Sequence, residues 1–175
     1  MTLYNMATTR RHSDIIMELS QQYDAFTWRE LGVKIFQEET ALVHYGHRKN
    51  NIDSLSLVDI AQIDNIDTLD YLGVVQPDFM LFRYNKFLWN EKETRIAGYP
   101  DLIVEVWSQS DSKQDREAKF LIYSNSNNKT EHWYLEQDSN IISCFMGKHK
   151  LQDKRLNEAI ASNCGVTFDL THVQI

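Results

Sequence analysis

The sequence predicts a single domain of the α/β or α+β class, and three observations lead to that prediction. The chain has 175 residues, about the size of one domain, and shows no internal repeat, linker or low-complexity tract. Its composition, with 42% hydrophobic and 25% charged residues, is that of a globular protein with one core. Short apolar segments typical of strands also alternate along it with two stretches of helical spacing.

The first part of the chain predicts one helix followed by strands. Residues 7–26 predict an amphipathic helix that Thr8 or Thr9 could cap, because apolar side chains recur there at roughly helical spacing. Those side chains are Ile15, Ile16, Leu19 and Phe26. Alternating apolar residues over 33–45 predict strand-like segments, and the polar run over 46–54 predicts a loop. The stretch over 55–70 mixes apolar and acidic residues and receives no assignment.

The middle of the chain predicts two strands, over 74–84 and 101–107, with a hairpin connection over 85–98. Residues 113–124 predict a helix whose inner side carries Ala118, Leu121 and Ile122. Further along, a loop is expected over 125–130. Two strands are expected over 131–135 and 141–146, with a turn over 138–140 between them. The tail predicts another helix or loop and a last apolar segment near 166–170.

Composition and charge limit the classes of function. The net charge of −7 argues against broad nucleic-acid binding, although a bound divalent ion would reverse the local sign. No apolar run approaches the roughly 20 residues of a membrane span, and the N-terminal residues lack a signal-peptide pattern. Cys144 and Cys164 lack metal-type spacing, which predicts reduced thiols in a cytoplasmic protein.

Two carboxylates stand where strands should be apolar. Asp78 follows Pro77 at the head of one hydrophobic stretch, and Glu105 lies inside the apolar run 102–107. An acid in a buried strand is costly unless it is paired or binds a metal. If the two strands pair, about 4.8 Å apart, Asp78 and Glu105 can share one hard cation. Asp101 shares the face of Glu105, but roughly 13 Å of extended strand separates them, too far for the same ion.

A lysine on the predicted second helix extends this constellation. Asp115 and Lys119 are four residues apart on one helix face, with Tyr123 one turn further, so Lys119 could point back at the carboxylates. Simpler interpretations stay open for each residue alone. A Pro-Asp pair is most often a turn, and an isolated strand glutamate is more often partly exposed. Lys119 by itself is typical of a solvated lysine paired with Asp115.

The motifs that carry a family resemblance follow one another in order. They are Gln76-Pro77-Asp78, residues 98–108, residues 115–119, Tyr123 and Glu131-His132-Trp133-Tyr134. In this order they resemble the Uma-type family of bacterial restriction-endonuclease-like proteins, within the PD-(D/E)XK nuclease superfamily. The resemblance covers roughly residues 74–137 and, more faintly, the first helix around His12. It implies a restriction-endonuclease-like fold, with a central mixed β-sheet flanked by helices.

The resemblance also implies a function. Members would be Mg²⁺-dependent (or Mn²⁺-dependent) endonucleases that hydrolyse phosphodiester bonds of DNA, and a homodimer is consistent with the superfamily. It implies that Asp78 and Glu105 bind the metal. The superfamily lysine normally sits two residues after the Glu, where this chain has Trp107, and Lys119 matches the family's displaced catalytic lysine. The accessory candidates are Glu18, Asp101 and Asp115.

Three departures from the family pattern keep an alternative function open. Residues 108–111 read Ser-Gln-Ser-Asp where the family usually has Ser-Pro-Ser-Thr. Lys129-Thr130 replaces Gly-Val, and His132 replaces a tyrosine. The alternative is a catalytically weak or inactive nuclease-fold module that binds nucleic acid or another protein.

Overall fold

A six-stranded mixed β-sheet with one helix on each face forms the frame of this computed structural model. The structure describes residues 10–23, 32–37, 41–44, 73–83, 87–90, 95–126 and 129–173. The helices are α1 (Arg10–Gln21) and α2 (Lys113–Ser126). In spatial order the main sheet contains β1 (Val33–Gln37), β4 (Phe79–Arg83), β7 (Leu102–Trp107), β8 (Glu131–Glu136), β9 (Ile141–Met146) and β10 (His149–Arg155).

Two smaller sheets accompany the main one within the described residues. The four-stranded sheet has the order β3 (Gly73–Val75), β2 (Ala41–His44), β6 (Arg95–Gly98) and β5 (Phe87–Asn90). Near the C-terminus, β11 (Ile160–Ala161) pairs with β12 (Thr167–Phe168). Strands β5 and β6 lie within the predicted hairpin span 85–98 and pair antiparallel, while the residues that connect them lie outside the described residues.

Strands β4, β7 and β8 form the centre of the main sheet. β4 runs antiparallel to β7, with Phe79 opposite Val104, and β7 runs parallel to β8, with Glu105 opposite Tyr134. A parallel pair needs a crossover connection, and α2 supplies it between β7 and β8. The other neighbouring pairs of the sheet are antiparallel. The predicted α/β (α+β) class, with a mixed sheet and flanking helices, is confirmed.

Alternation along β7 sends its side chains into two separate cores. Leu102, Val104 and Val106 pack in the core that contains α1, whereas Ile103 and Trp107 contact the core beneath α2. Side chains on a strand point to opposite faces in turn, so this division follows from the sequence. The predicted assignment of Glu105 to the face of Ile103 and Trp107 is thereby confirmed.

Helix α1 is held to the sheet by a short apolar stripe. Ile15, Ile16 and Leu19 are all buried in the core shared with β7. They recur at spacings of three and four residues, which places them on one helix face. The described helix is shorter than the predicted span 7–26, and the proposed caps Thr8 and Thr9, like Phe26, lie outside the described residues.

Helix α2 has the predicted position but a different inner face. The predicted inward residues Ala118 and Leu121 are exposed, and of the three only Ile122 packs against the core. The side chains that face the sheet are spaced by three and four residues. They are Lys119, Phe120, Tyr123 and Ser124. Two of these are polar, so hydrophobic periodicity alone selected the wrong face.

Two strand predictions also differ from the structure. The single strand expected over 74–84 is divided into β3 and β4, which belong to different sheets, with Pro77 between them. Proline lacks the N–H that would continue a strand ladder. The tail was expected to start with a helix or loop, but β10 forms a hairpin with β9 through Gly147, whose φ is 55°. Every residue of β10 is polar except Leu151, which concealed the strand. The predicted loop over 46–54 lies outside the described residues.

The cysteine prediction agrees with the structure. Cys144 and Cys164 are both free thiols, and Cys144 is buried. Burial raises the pKa of Cys144 to about 12, so the group stays protonated and unreactive at neutral pH. None of the described helices combines the length and the apolar character that crossing a bilayer requires.

His132, where the resembled family has tyrosine, is a buried member of the aromatic layer beneath α2. Its Nε2 lies 2.8 Å from the carbonyl oxygen of Gly147, and its Nδ1 lies 2.8 Å from the hydroxyl of Tyr134. A carbonyl can only accept, so Nε2 carries the hydrogen and Nδ1 accepts from Tyr134. The ring also stacks on Phe145, with centroids 5.6 Å apart. Burial lowers the pKa of His132 from 6.5 to about 4.

This neutral histidine predicts an acid-labile fold. Between pH 6.5 and about 4 the imidazole is protonated in the unfolded chain but stays neutral in the native protein. The free energy of unfolding therefore falls as the pH falls through that window. We expect His132 to account for roughly 3 kcal/mol of the loss. Urea unfolding of the wild type and His132→Phe at pH 7.5 and 4.5 should show the smaller pH dependence in the variant. The control substitution His149→Asn, at an exposed histidine, should leave the pH dependence of the free energy of unfolding unchanged. An equal pH dependence in the wild type and His132→Phe would contradict the prediction.

Candidate active site

The register of β4 and β7 brings the two predicted carboxylates together. Asp78 directly precedes Phe79, and Phe79 lies opposite Val104, so Asp78 falls opposite Glu105 in the antiparallel pair. The Oδ2 atom of Asp78 accepts the backbone N–H of Val106 at 2.7 Å, which ties the aspartate to the strand beside Glu105. The acids therefore converge from adjacent strands at the centre of the sheet.

Glu105 is 1% exposed, and α2 supplies a partner to each of its oxygens. The Nζ of Lys119 lies 2.6 Å from Oε2, and the hydroxyl of Tyr123 donates to Oε1 at 2.5 Å. Burial raises the pKa of Glu105 to about 7, and the nearby charge of Asp78 adds to the rise. Lys119 and the two hydrogen bonds act in the opposite direction. The balance leaves a carboxyl group that titrates near neutral pH, as groups at functional sites often do.

Lys119 reaches across the site from α2. Besides Glu105, its Nζ donates to the backbone carbonyl of Gln76 at 3.2 Å. Burial opposes the charge on Lys119, but attraction to Glu105 and Asp78 outweighs burial and raises its pKa. Burial and Glu105 together hold the pKa of Tyr123 well above its ordinary value. Lys119 is therefore a cation and Tyr123 a neutral hydrogen-bond donor at neutral pH.

His12 of α1 is a fifth side chain at the site, and its role there was not predicted from the sequence. Its Nε2 lies 3.2 Å from the Oδ2 of Asp78, and the ring is buried. The available signal was positional, since His12 precedes Ile15 and Ile16 by three and four residues. It therefore extends the buried stripe of α1.

The structure places the three accessory candidates in contacts that stabilise the fold. The Oε1 of Glu18 accepts from the side chain of Gln22, which also bonds Asp169 of the C-terminal segment. The Oδ2 of Asp101 accepts the backbone N–H of Arg83 at 2.7 Å, at the end of the β4–β7 pair. Asp115 belongs to the cap of α2, where its carboxylate accepts from the Ser112 hydroxyl at 2.6 Å.

Trp107 lies two residues after Glu105, at the strand position where the resembled superfamily normally has a lysine. Its ring lies 4.4 Å from the ring of Tyr134, and the guanidinium of Arg116 lies 4.9 Å from its centre. These side chains line an apolar groove of about 640 Å³ between α2 and strands β8 and β9. Trp107 therefore packs in this groove, and the cation beside Glu105 comes from the helix.

The donor set suits a hard cation held by few protein ligands. Within the described parts of the chain, no three His, Cys, Asp or Glu side chains are grouped so that they could hold a metal ion. Asp78 and Glu105 offer two carboxylates whose charges act on each other. Mg²⁺ is commonly bound through one or two carboxylates while it keeps several waters. The residues present therefore fit the metal that the family resemblance implies.

The mixed sheet and the convergence of Asp78, Glu105 and Lys119 agree with what the resemblance to restriction-endonuclease-like proteins implies. The chain belongs to the Uma2 family, whose model carries the description "Putative restriction endonuclease" and matches residues 63–171. The resemblance to Uma-type proteins is thus confirmed.

A solved structure supports the fold assignment independently. It is the crystal structure of a "putative nuclease belonging to DUF820" from Anabaena variabilis ATCC 29413, with a TM-score of 0.66. The alignment covers 98% of this chain and 86% of that one at 13% sequence identity, so the likeness shows the fold alone. A comparison with curated proteins found no match.

Proposed function

We propose that this chain is a Mg²⁺-dependent endonuclease that hydrolyses phosphodiester bonds of DNA, with Mn²⁺ as an alternative metal. The observation that carries the proposal is the convergence of Asp78, Glu105 and Lys119, with Lys119 Nζ 2.6 Å from Glu105. Membership in a family described as restriction endonucleases supports the same reaction class. We also propose that residues 1–175 form one nuclease-like domain.

In this mechanism each side chain has a separate task. Asp78 and Glu105 would hold the cation, which, when bound, would supply a water of lowered pKa and positive charge for the phosphate oxygens. Lys119 orients the attacking water or neutralises the charge that develops on the phosphate. Tyr123 holds the Oε1 of Glu105 in place through its hydrogen bond. In-line attack by this water would form a new P–O bond and break the bond to the leaving oxygen, which takes up a proton, so that one phosphodiester and one water give a phosphate monoester and an alcohol.

The direct test is metal-dependent cleavage by the wild-type chain. We expect purified protein to nick or cut plasmid DNA with Mg²⁺ or Mn²⁺ and to stop when EDTA is added. Single-stranded DNA and RNA in parallel reactions would define the substrate. An Asp78→Ala preparation purified in the same way controls for contaminating nucleases. Cleavage that survives EDTA, or that the Asp78→Ala preparation shares, would contradict the proposal.

A second candidate function is a nuclease-fold module that binds nucleic acid or protein and cuts weakly or not at all. The altered loop after β7 favours this function, and the net charge of −7 favours its protein-binding form over its nucleic-acid-binding form. In that loop the carboxylate of Asp111 accepts the backbone N–H of Ser108 at 2.6 Å. Retarded migration of DNA on a gel, without cleavage product in Mg²⁺, would support this function.

Light scattering of the same sample would show whether the chain forms a homodimer, the arrangement that would allow both DNA strands to be cut.

A further inference from the structure

The contact between His12 and Asp78 has no task in the mechanism proposed above. His12 lies on α1, on the face of the sheet opposite to α2, and its Nε2 is 3.2 Å from the Oδ2 of Asp78. The ring is 6% exposed. A buried polar side chain is costly unless it is hydrogen-bonded, so this contact is a fixed part of the structure.

The packing of α1 determines where His12 lies. Ile15 and Leu19 are fully buried and Ile16 almost so, all in the core shared with β7. His12 precedes Ile15 and Ile16 by three and four residues and therefore continues the same stripe. A rigid, packed helix thus delivers the imidazole to the aspartate, which gives it a more precise position than a loop would.

Two nitrogen atoms of the described residues lie close to the same oxygen of Asp78. The backbone N–H of Val106 donates to Oδ2 at 2.7 Å, and the Nε2 of His12 lies 3.2 Å from Oδ2. A carboxylate only accepts, so a hydrogen bond from His12 requires a hydrogen on Nε2. The Val106 N–H and the imidazole beside Oδ2 restrain rotation of the carboxylate, and the Oδ1 oxygen can then take another ligand.

We propose that His12 is a positioning residue, which together with the Val106 N–H fixes the Asp78 carboxylate so that Oδ1 serves the cation shared with Glu105. The inference rests on the proposed function and deepens it. It needs an N–H at Nε2, which the imidazolium has and which the neutral ring has in its Nε2–H tautomer. Loss of a hydrogen-bond partner of a metal-binding carboxylate commonly lowers metal affinity by about 10- to 100-fold.

The test compares a variant that lacks the donor with one that keeps it. His12→Leu fills the same buried space without an N–H, whereas His12→Gln can place an amide N–H near the position of Nε2. Calorimetric titration with Mn²⁺ should show binding weakened by about 10- to 100-fold in His12→Leu and restored to within a few-fold in His12→Gln. The Mg²⁺ concentration for half-maximal cleavage should be raised in His12→Leu and should lie close to the wild-type value in His12→Gln.

Two further variants separate this role from its alternatives. Ile16→Val loosens the same stripe of α1 without touching a donor, so it should lower the thermal midpoint and leave Mn²⁺ affinity unchanged. If wild type and Asp78→Ala take up Mn²⁺ alike, the metal site itself is wrong and both proposals fall. If Asp78→Ala loses Mn²⁺ but His12→Leu binds it as wild type does, only the positioning role is overturned. The positioning role is also overturned if His12→Gln binds Mn²⁺ as weakly as His12→Leu.

Discussion

Glu105→Gln is expected to abolish metal-dependent cleavage while the protein remains folded. The substitution keeps the shape of the side chain but removes the charge that would bind the cation. We expect a loss of at least about 100-fold in the cleavage rate, measured with saturating DNA and Mg²⁺. Lys119 loses its buried partner, so the free energy of unfolding should also fall, by about 3 kcal/mol. Circular dichroism and urea unfolding would show that the inactive variant is still folded.

Glu136→Gln is the matched control for Glu105→Gln. Glu136 lies on the adjacent strand β8 and pairs with Arg116 at 2.6 Å, but its side chain is 46% exposed. A partly solvated pair of this kind contributes little to stability, so both cleavage and folding should stay close to wild type. Wild-type cleavage by Glu105→Gln, at the same metal concentration, would remove Glu105 from the proposed site.

Lys119→Met should reduce cleavage by about 100-fold or more and displace the pH profile of the remaining activity to higher pH. In the wild type the lysine lowers the pKa of Glu105, against burial and the charge of Asp78. Without it that pKa rises above about 7, so Glu105 is protonated at neutral pH and cannot hold a cation. Raising the pH restores the carboxylate, and residual activity should therefore increase more steeply with pH than wild-type activity does.

The measurement is a rate profile from pH 6.5 to 9 for the wild type, Lys119→Met and Lys113→Met. Lys113 lies on the same helix with a side chain that is 89% exposed, so removing it tests a loss of charge away from the site. Its profile should superimpose on that of the wild type. A Lys119→Met profile with the wild-type shape would show that the lysine does not control Glu105.

The strand part of the site could be predicted because it depends on local geometry. Alternation along β7 decides that Glu105 shares a face with Trp107, and that rule needs only the sequence. The cost of a buried acid makes Asp78 and Glu105 conspicuous inside apolar segments. The structure then brings them together through the β4–β7 register. Their roles as metal ligands stay predictions until the metal and the variants are measured.

The helical part was predicted less well because its contacts are tertiary. Lys119 was selected by its position on the predicted helix and by its match to the family, but the inner face of α2 was assigned to Ala118, Leu121 and Ile122, of which only Ile122 packs against the core. Lys119 faces the sheet because Glu105 lies beneath it, which hydrophobic periodicity cannot register. Asp115 is four residues from Lys119, yet it bonds Ser112 in the helix cap, so spacing alone predicted the wrong partner.

By itself, the sequence determined the class of fold, the order of the strands and helices around the site, and the pair Asp78 and Glu105. Those properties follow from alternation, composition and an ordered series of motifs, all of which can be read along the chain. Only the tertiary structure decided that α1 contributes His12, because that contact joins segments far apart in sequence. Helix packing and strand register determine such contacts, and the local pattern places His12 on the buried stripe of α1 without showing which residue it meets.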